Sequence, residues 1–491
     1  MKLRRLCTKS SILCTISMAF VILGVLIITT WSHLYHVITR TGFVLTPTST
    51  AYHMWKKNPI PLTIDFYFHN WTNSEAVHNN TVKPSFKLMG PYRFIETKEK
   101  SKVTWNDNST VTFRHLRTWF FDREHSVGPL SDEVTTVNPV TTSAAYAVRN
   151  WNYIVKKGLS VTLNTMNQKV HIVKSVGELL FEGYEDKLMN IARSMPFLAD
   201  SNMPEMDKFG WFYGRNGSDV FEGTFNMDTG VDGQLGRLYE WKGSNRTSFY
   251  LDKCSDIDGS AGEFFPQNLN KDSIVKFFSS DLCRPVELEY EKDVEIHNIV
   301  GYKYSAGDRF LDNGTKIVEN KCFCLGDCMP SGAVNVSACR YGSPAFVSLP
   351  HFYNADPYYL DSIEGVKADK DRHEFYMIFE PKTGLPLEVA ARLQLNLLLT
   401  PVTNIQLYSD VPKVYFPLIW FEQVVRMPPE VALYIKFLVN FKVICYAIGA
   451  ILIFVGLLIQ FCCIYRICTM KLCEPAKDCT IKERVPLTEQ K

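Results

Sequence analysis

The chain has 491 residues and lacks the short signatures by which common enzyme sites are read from sequence. No H-E-x-x-H, G-x-S-x-G or phosphate-binding loop occurs in it. Asp258-Gly259-Ser260-Ala261-Gly262 resembles a nucleophile elbow but lacks the first glycine. Glu287 and Glu289 share a strand face, yet their alternation with apolar residues marks that face as the wet one. An excess of one charge is also missing. Lys plus Arg number 53 and Asp plus Glu 51, for a net charge of +2, so nothing global points to nucleic acid. No internal repeat or long low-complexity linker divides the chain. The reading is of a protein that is not an enzyme and carries no cofactor.

The sequence does have two long apolar runs. Ile12 to Thr30 is about nineteen uncharged residues, close to the roughly twenty that a helix needs to cross a bilayer. About eleven are Leu, Ile, Val or Phe, and at roughly −0.5 kcal/mol each they outweigh Thr15, Ser17 and Thr29. Lys2, Arg4, Arg5 and Lys9 precede the run, and no cation follows it before Arg40, which keeps the N-terminus in the cytosol. A cleaved signal peptide has an apolar region of about 7–15 residues and a small-residue cleavage site. This run is longer, and Trp31-Ser32-His33-Leu34 offers no such site. Val443 to Cys463 is a second run in which Gln460 is strongly polar. Arg466, Lys471, Lys477, Lys482 and Arg484 follow it and hold its tail inside. The expected layout is a cytoplasmic tail 1–9, a transmembrane helix 10–31, an extracellular domain 32–442, a transmembrane helix 443–463 and a cytoplasmic tail 464–491.

The fourteen cysteines divide by this topology. Cys254, Cys283, Cys322, Cys324, Cys328 and Cys339 lie outside, an even number in an oxidising compartment, so three disulfides are expected in any of 15 pairings. The C-x-C and C-x-x-x-C spacing has no histidine nearby, and no metal site is expected. Cys7, Cys462, Cys463 and Cys468 sit where palmitate is attached, or are free thiols at a helix end. Sequons at Asn70, Asn79, Asn108, Asn216, Asn245, Asn313 and Asn335 agree with an outside location.

Period-two alternation marks strands at 62–69, 111–114, 286–291, 375–379 and 393–399, with a hairpin turn at Pro381-Lys382-Thr383-Gly384. Strands scattered over the whole length predict one large β-rich body. Residues 144–195 break the pattern. Apolar spacings of three and four predict three short helices, over 144–159, 173–180 and 184–195, forming a small bundle. Lys156, Lys157, Lys169, His171 and Lys174 are its expected exposed positions, a basic patch suited to anionic lipid, lipoprotein or a cell surface.

Two kinds of membrane protein have this topology. A trimeric two-span channel needs polar or small pore-lining residues; Gly449 and Gly456 are present but no Gly-x-Ser selectivity motif is. The other kind is a receptor. Lys276-Phe277-Phe278-Ser279-Ser280-Asp281-Leu282-Cys283-Arg284 resembles the class B scavenger receptor family. So do Cys322-Phe323-Cys324, Ser348-Leu349-Pro350-His351-Phe352, Phe379-Glu380-Pro381-Lys382-Thr383-Gly384, Arg392-Leu393-Gln394-Leu395-Asn396 and Gly90-Pro91-Tyr92-Arg93. Their order spans nearly the whole chain.

The resemblance implies a membrane-anchored β-rich α+β protein: a large antiparallel β-barrel ectodomain with an apical helical bundle and an apolar tunnel, flanked by two transmembrane helices. It also implies the disulfides Cys254–Cys322, Cys283–Cys339 and Cys324–Cys328. Its implied ligands are apoptotic cells, microbial surfaces, modified lipoproteins, fatty acids, sterols and other lipids. Plasma-membrane residence with endosomal or phagosomal cycling, signalling through co-receptors and homo-oligomerisation complete the expectation. Glu483-Arg484-Val485-Pro486-Leu487-Thr488 resembles an acidic dileucine sorting signal, with Thr488 in place of the second bulky aliphatic residue.

Overall fold

The computed structural model describes residues 2–58, 60, 62–79, 81–194, 207–324 and 328–472. Two compact units form: Gly42–Ala432, and the terminal segments Met1–Thr41 with Leu433–Lys491.

Strands supply the frame of the first unit. They are β1 (Leu62–Trp71), β2 (Phe86–Trp105), β3 (Thr110–Asp122), β4 (Glu133–Val137), β5 (His171–Ser175), β6 (Thr224–Asp228), β7 (Leu238–Trp241), β8 (Val275–Ser279), β9 (Arg284–Ile296), β10 (Ile299–Ser305), β11 (Ala333–Asn335), β12 (Ala345–Ser348), β13 (Tyr376–Phe379), β14 (Pro386–Leu399) and β15 (Val414–Arg426). The sheet runs β7-β6-β3-β2-β1-β15-β14-β13-β10-β9-β8, with β12 also on β14 and β11 on β12. The alternating stretches of the sequence all fall in it. The β13–β14 connection is the expected turn, closed by the Glu380 carboxylate, which accepts from the Thr383 amide and hydroxyl, each at 2.7 Å.

The edges of this sheet, β7 and β8, meet through a third segment. The Leu238 amide donates to the Gly259 carbonyl and the Ala261 amide to that of Gly236, while the Ser260 amide donates to Lys276 and accepts through its carbonyl from Phe278, all at 2.9 Å. This strip nearly closes the sheet into a barrel, as full pairing removes open edges. Gly259 is needed here: its φ is +92°, and a Cβ would lie 2.8 Å from the Lys276 carbonyl. The elbow-like Asp258–Gly262 stretch is therefore a barrel seam, and the Ser260 hydroxyl is spent on the Phe264 carbonyl.

The bundle departs from its expected form. The run over 144–159 is two helices, Pro139–Ala147 and Tyr153–Thr165, each with its own asparagine cap, Asn138 and Asn152. The helix expected over 173–180 is strand β5 followed by a short π-helical turn, Glu178–Glu182. Ile172 and Val173 are β-branched, and β4 offers the ladder that β5 pairs with from Val137↔His171 to Glu133↔Ser175. The last helix is Lys187–Ser194; Met195 and Pro196 lie outside the described residues. These elements bury Val137, Ala145, Leu163, Val176 and Leu180 in one core with Phe66, Phe68 and Phe94 of the barrel wall. A second core joins Trp55, Phe113, Phe225, Phe265, Val286, Tyr304 and Leu393 across the barrel.

In the second unit the helices Lys2–Phe43 and Pro429–Leu472 carry the stretches Ile12–Thr39 and Pro429–Arg466, each long and apolar enough to cross a membrane. Small residues let them approach closely. A Cβ on Gly24 would lie 2.7 Å from the Gly449 carbonyl, and one on Gly456 would lie 2.8 Å from that of Ser17.

Candidate functional site

The five basic residues of the bundle do not form one cluster. Lys156 and Lys157 lie on the helix Tyr153–Thr165. Lys157 is exposed, with its ammonium 5.8 Å from the centre of the Tyr153 ring. Lys156 is half-buried and reaches back to the Arg149 carbonyl at 3.5 Å. The other three flank β5 or lie in it, and each faces a carboxylate. Lys169 and His171 lie 3.7 Å and 3.3 Å from Glu75, and Lys174 lies 3.1 Å from Glu178. His171 and Lys174 are half-buried rather than exposed, His171 on one face of β5 beside Glu75 and Lys174 on the other beside Glu178. Burial lowers the His171 pKa against the pull of Glu75. The charge pattern of the bundle's first part is nevertheless one-sided: Val134 to Gly177 contains no acidic residue, and Glu178, Glu182, Glu185 and Asp186 follow.

A second constellation, unread in the sequence, lies on the barrel's inner face. Opposite pairs of β2 and β3 run Phe94↔Phe121, Glu96↔Trp119, Lys98↔Arg117 and Lys100↔His115, ending near Phe113. The ends of this series belong to the two cores and its middle is charged. Glu263 accepts from Lys98 at 2.9 Å, from Lys100, and from the Trp55 indole at 2.9 Å. Arg117 bridges Glu96 at 2.5 Å and Glu222 at 2.8 Å, and Gln423 donates to Glu96 at 2.8 Å. Burial pulls the Lys100 ammonium down to about 7 against the field of Glu263. Burial alone would raise Glu263, but Lys100 and Lys98 hold it below the usual carboxylate range. Three cations and three carboxylates form a belt between two aromatic cores. The sequence signal was there: charges at alternate positions of strands whose same face also carries Phe113 and Trp119.

The motifs that carried the family resemblance serve as brackets. Gln394 accepts from the His351 amide at 2.7 Å and donates to Asn396 at 2.8 Å, and Asn396 donates to the Ser348 hydroxyl at 3.0 Å. Two motifs thus interlock through buried amides. The Arg284 guanidinium lies 3.3 Å over the Phe323 ring, tying two more together. The disulfides are Cys254–Cys322, Cys283–Cys339 and Cys324–Cys328, the three that the resemblance implied. Under the Ser348–Phe352 bracket, His351 and His373 lie against Trp420 on the barrel's outer wall, and His69 meets His351. His351 and His373 stack at 4.1 Å. Nδ1 of His351 donates to the Lys367 carbonyl, while Nδ1 of His373 accepts from the Asp369 amide, which keeps the His373 ring neutral. Burial pushes all three pKa values down, that of His373 to about 3.

Among the sequons, Asn79, Asn108, Asn216 and Asn245 are exposed and Asn70 is half-buried, while Asn313 and Asn335 are buried. The Nδ2 atoms of Asn216 and Asn313, where a glycan would attach, donate to the carbonyls of Trp119 and Met329. Cys462 is exposed and Cys463 buried; the side chains of Cys7 and Cys468 lie outside the described residues. A cleft of about 210 Å³ opens between Leu45, Pro47, Trp105, Thr110, Thr229 and Val231.

A disulfide-stapled, nearly closed antiparallel barrel between two terminal apolar helices defines a class of two-span membrane protein. The chain belongs to the CD36 family, which matches it over residues 12–467. It is 37% identical over 416 residues to Protein peste of Drosophila melanogaster, covering 83% of this chain and 74% of that protein. It is 30% identical over 464 residues to Scavenger receptor class B member 1 of Bos taurus, covering 93% and 89%. Against Lysosome membrane protein 2 of Homo sapiens it is 30% identical over 429 residues, covering 84% and 86%.

Proposed function

We propose that the chain is a cell-surface scavenger receptor that binds apoptotic cells, modified lipoproteins, microbial surfaces or lipids and promotes their uptake. The observation that carries this reading is the bundle segment 134–177, which holds Arg149, Lys156, Lys157, Lys169 and Lys174 and no carboxylate. Such a surface raises the local concentration of anionic particles, and its grip weakens as salt screens it. Family membership supports the same reading, as does the name of the bovine relative. A finer kinship with the insect haemocyte receptor croquemort is part of this proposal. Residence in the plasma membrane with both termini cytoplasmic, glycans on the exposed sequons and palmitate on Cys462 belong to this proposal. Charge reversal at Lys156, Lys157, Lys169 and Lys174 is expected to cut particle uptake at equal surface display; unchanged uptake removes the electrostatic role.

Lipid transfer is a second reading, favoured by the two apolar cores that Leu395 and Phe421 join. Fatty acid, sterol or carotenoid would pass through the barrel toward the cleft at Leu45, past the belt of Lys98, Lys100 and Glu263. Each CH₂ kept from water along the way is worth about 0.8 kcal/mol. Lipid extracted from the purified full-length protein tests it: a chain that holds none and takes up none has no such tunnel.

A further inference from the structure

The helix Tyr153–Thr165 has two apolar faces where an ordinary surface helix has one. Its inner face is satisfied, with Ser160 and Leu163 buried and Leu159 packed on the core. Its outer stripe carries Ile154 and Val161, one turn to either side of Lys157 and Gly158. Ile154 is 78% exposed and Val161 63%. Tyr153, 60% exposed, and Trp151, just before the cap, 44% exposed, extend the patch. The space outside its middle is open: a Cβ placed on Gly158 would meet nothing within 4 Å. Among the described residues neither the barrel nor the remaining helices cover these side chains, although each would gain by leaving water.

We propose that this stripe is a wedge that enters the lipid surface of the captured particle. The residue set fits such a partner. Trp and Tyr prefer the boundary between headgroup and acyl chain, Ile and Val lie below it, and lysines above it meet lipid phosphate. Lys157, its ammonium 5.8 Å from the centre of the Tyr153 ring, places a cation within the apolar stripe. The absence of any carboxylate from Val134 to Gly177 completes the match to an anionic lipid face. A protein partner would offer a groove for the stripe. A lipid surface needs no groove, and it accepts an outward-facing stripe with open space at its centre. The wedge rests on the receptor reading and adds a second, salt-resistant component to the electrostatic capture described above.

The test uses the full-length chain displayed on cells, fluorescent vesicles of phosphatidylcholine with phosphatidylserine, and untransfected cells as the blank. Wild-type cells are expected to keep part of their vesicle capture in about 1 M salt, where charge is screened within about 3 Å. W151S/Y153S/I154S/V161S at equal surface display is expected to lose that salt-resistant part, a drop of about tenfold or more for the apolar area removed. The single change I154W, which enlarges the apolar tip on an exposed turn, is expected to raise capture several-fold, and it keeps the test decisive if the quadruple variant fails to reach the surface. Equal salt-resistant capture by I154W and wild type, or by the quadruple variant and wild type, overturns the wedge. In that case particle uptake that persists in the same cells leaves the receptor reading standing. A wild type that takes up no particle of any kind removes both.

Discussion

The bundle and the barrel interior both hold several lysines and arginines, and they treat them in opposite ways. In the barrel Lys98, Lys100 and Arg117 are matched by Glu263, Glu96 and Glu222 at hydrogen-bond distance. On the helix Tyr153–Thr165, Lys156 and Lys157 have no carboxylate within ion-pair reach among the described residues. The difference follows from solvation. A buried ion must have a partner or shed its charge, whereas an outward one is stabilised by water and stays available. Cations that the fold has neutralised are structural, and those it leaves to water are the ones a partner can use. The cations in and beside β5 fall between: Lys169 and Lys174 are cationic in sequence but already face Glu75 and Glu178.

The largest break in this comparison is Glu263→Ala. It strips the counter-charge from Lys100, whose side chain is 2% exposed, and the acceptor from the Trp55 indole. The expected loss is about 3 kcal/mol, the low end for a broken buried pair, because Lys100 can give up its proton. Thermal unfolding of the purified protein measures it. A loss under about 0.5 kcal/mol, the size of an ordinary surface change, would show that the belt is wetter than its geometry implies.

How much of this was legible depended on which physics set the pattern. The strands were, because one side of the sheet must stay dry and period two follows, as in Leu62–Phe68. The hairpin at Glu380–Gly384 was, because its turn chemistry is local. Residues 173–180 were misread because apolar spacing there fits a helix equally well, and only the neighbouring β4 ladder decides for a strand. The belt and the three histidines were missed because their members lie far apart in sequence: Lys100 meets Glu263, and His69 meets His351 and His373. No local rule joins such residues. The family motifs were legible as words, but their use, Gln394 and Asn396 gripping Ser348 and His351, needed the register of β14 against β12.

The histidines sharpen the comparison from a third side, since they are buried like the belt yet form no ion pair among the described residues. Around them Arg372 and Arg392 oppose protonation and Asp369 favours it, but burial dominates. Above about pH 6.5 neither the folded nor the unfolded chain protonates them, and their contribution is complete. As pH falls below 6.5 the unfolded chain takes up protons that the folded chain refuses, so stability drops. For His373 this continues down to a folded value of about 3. The slope is about 1.4 kcal/mol per pH unit for each such histidine. Melting temperatures between pH 6.5 and 5.0 are expected to fall, in a window below the value of about 7 at which Lys100 titrates and above the roughly 4.5 at which carboxylates such as Glu263 enter. His373→Gln is expected to flatten the slope by about one proton. A melting curve indifferent to pH from 6.5 to 5.0 would mean that the rings are already charged or already wet.

The smallest expected effect on stability is at Lys157, and its smallness is informative. Lys157→Ala removes an exposed cation that has the Tyr153 ring beside it and no ion pair among the described residues, so unfolding should shift by less than about 0.5 kcal/mol. Lys169→Ala, opposite an exposed Glu75, should do no more. If the bundle's cations serve a partner, Lys157→Ala should still weaken capture of anionic particles at low salt and have little effect at high salt. Lys169→Ala should matter less, since Glu75 already offsets its field. Reading capture against salt for the two variants separates an available charge from a neutralised one on the same bundle. Equal losses for both would mean that the partner feels the summed field of the segment rather than the side chains left to water.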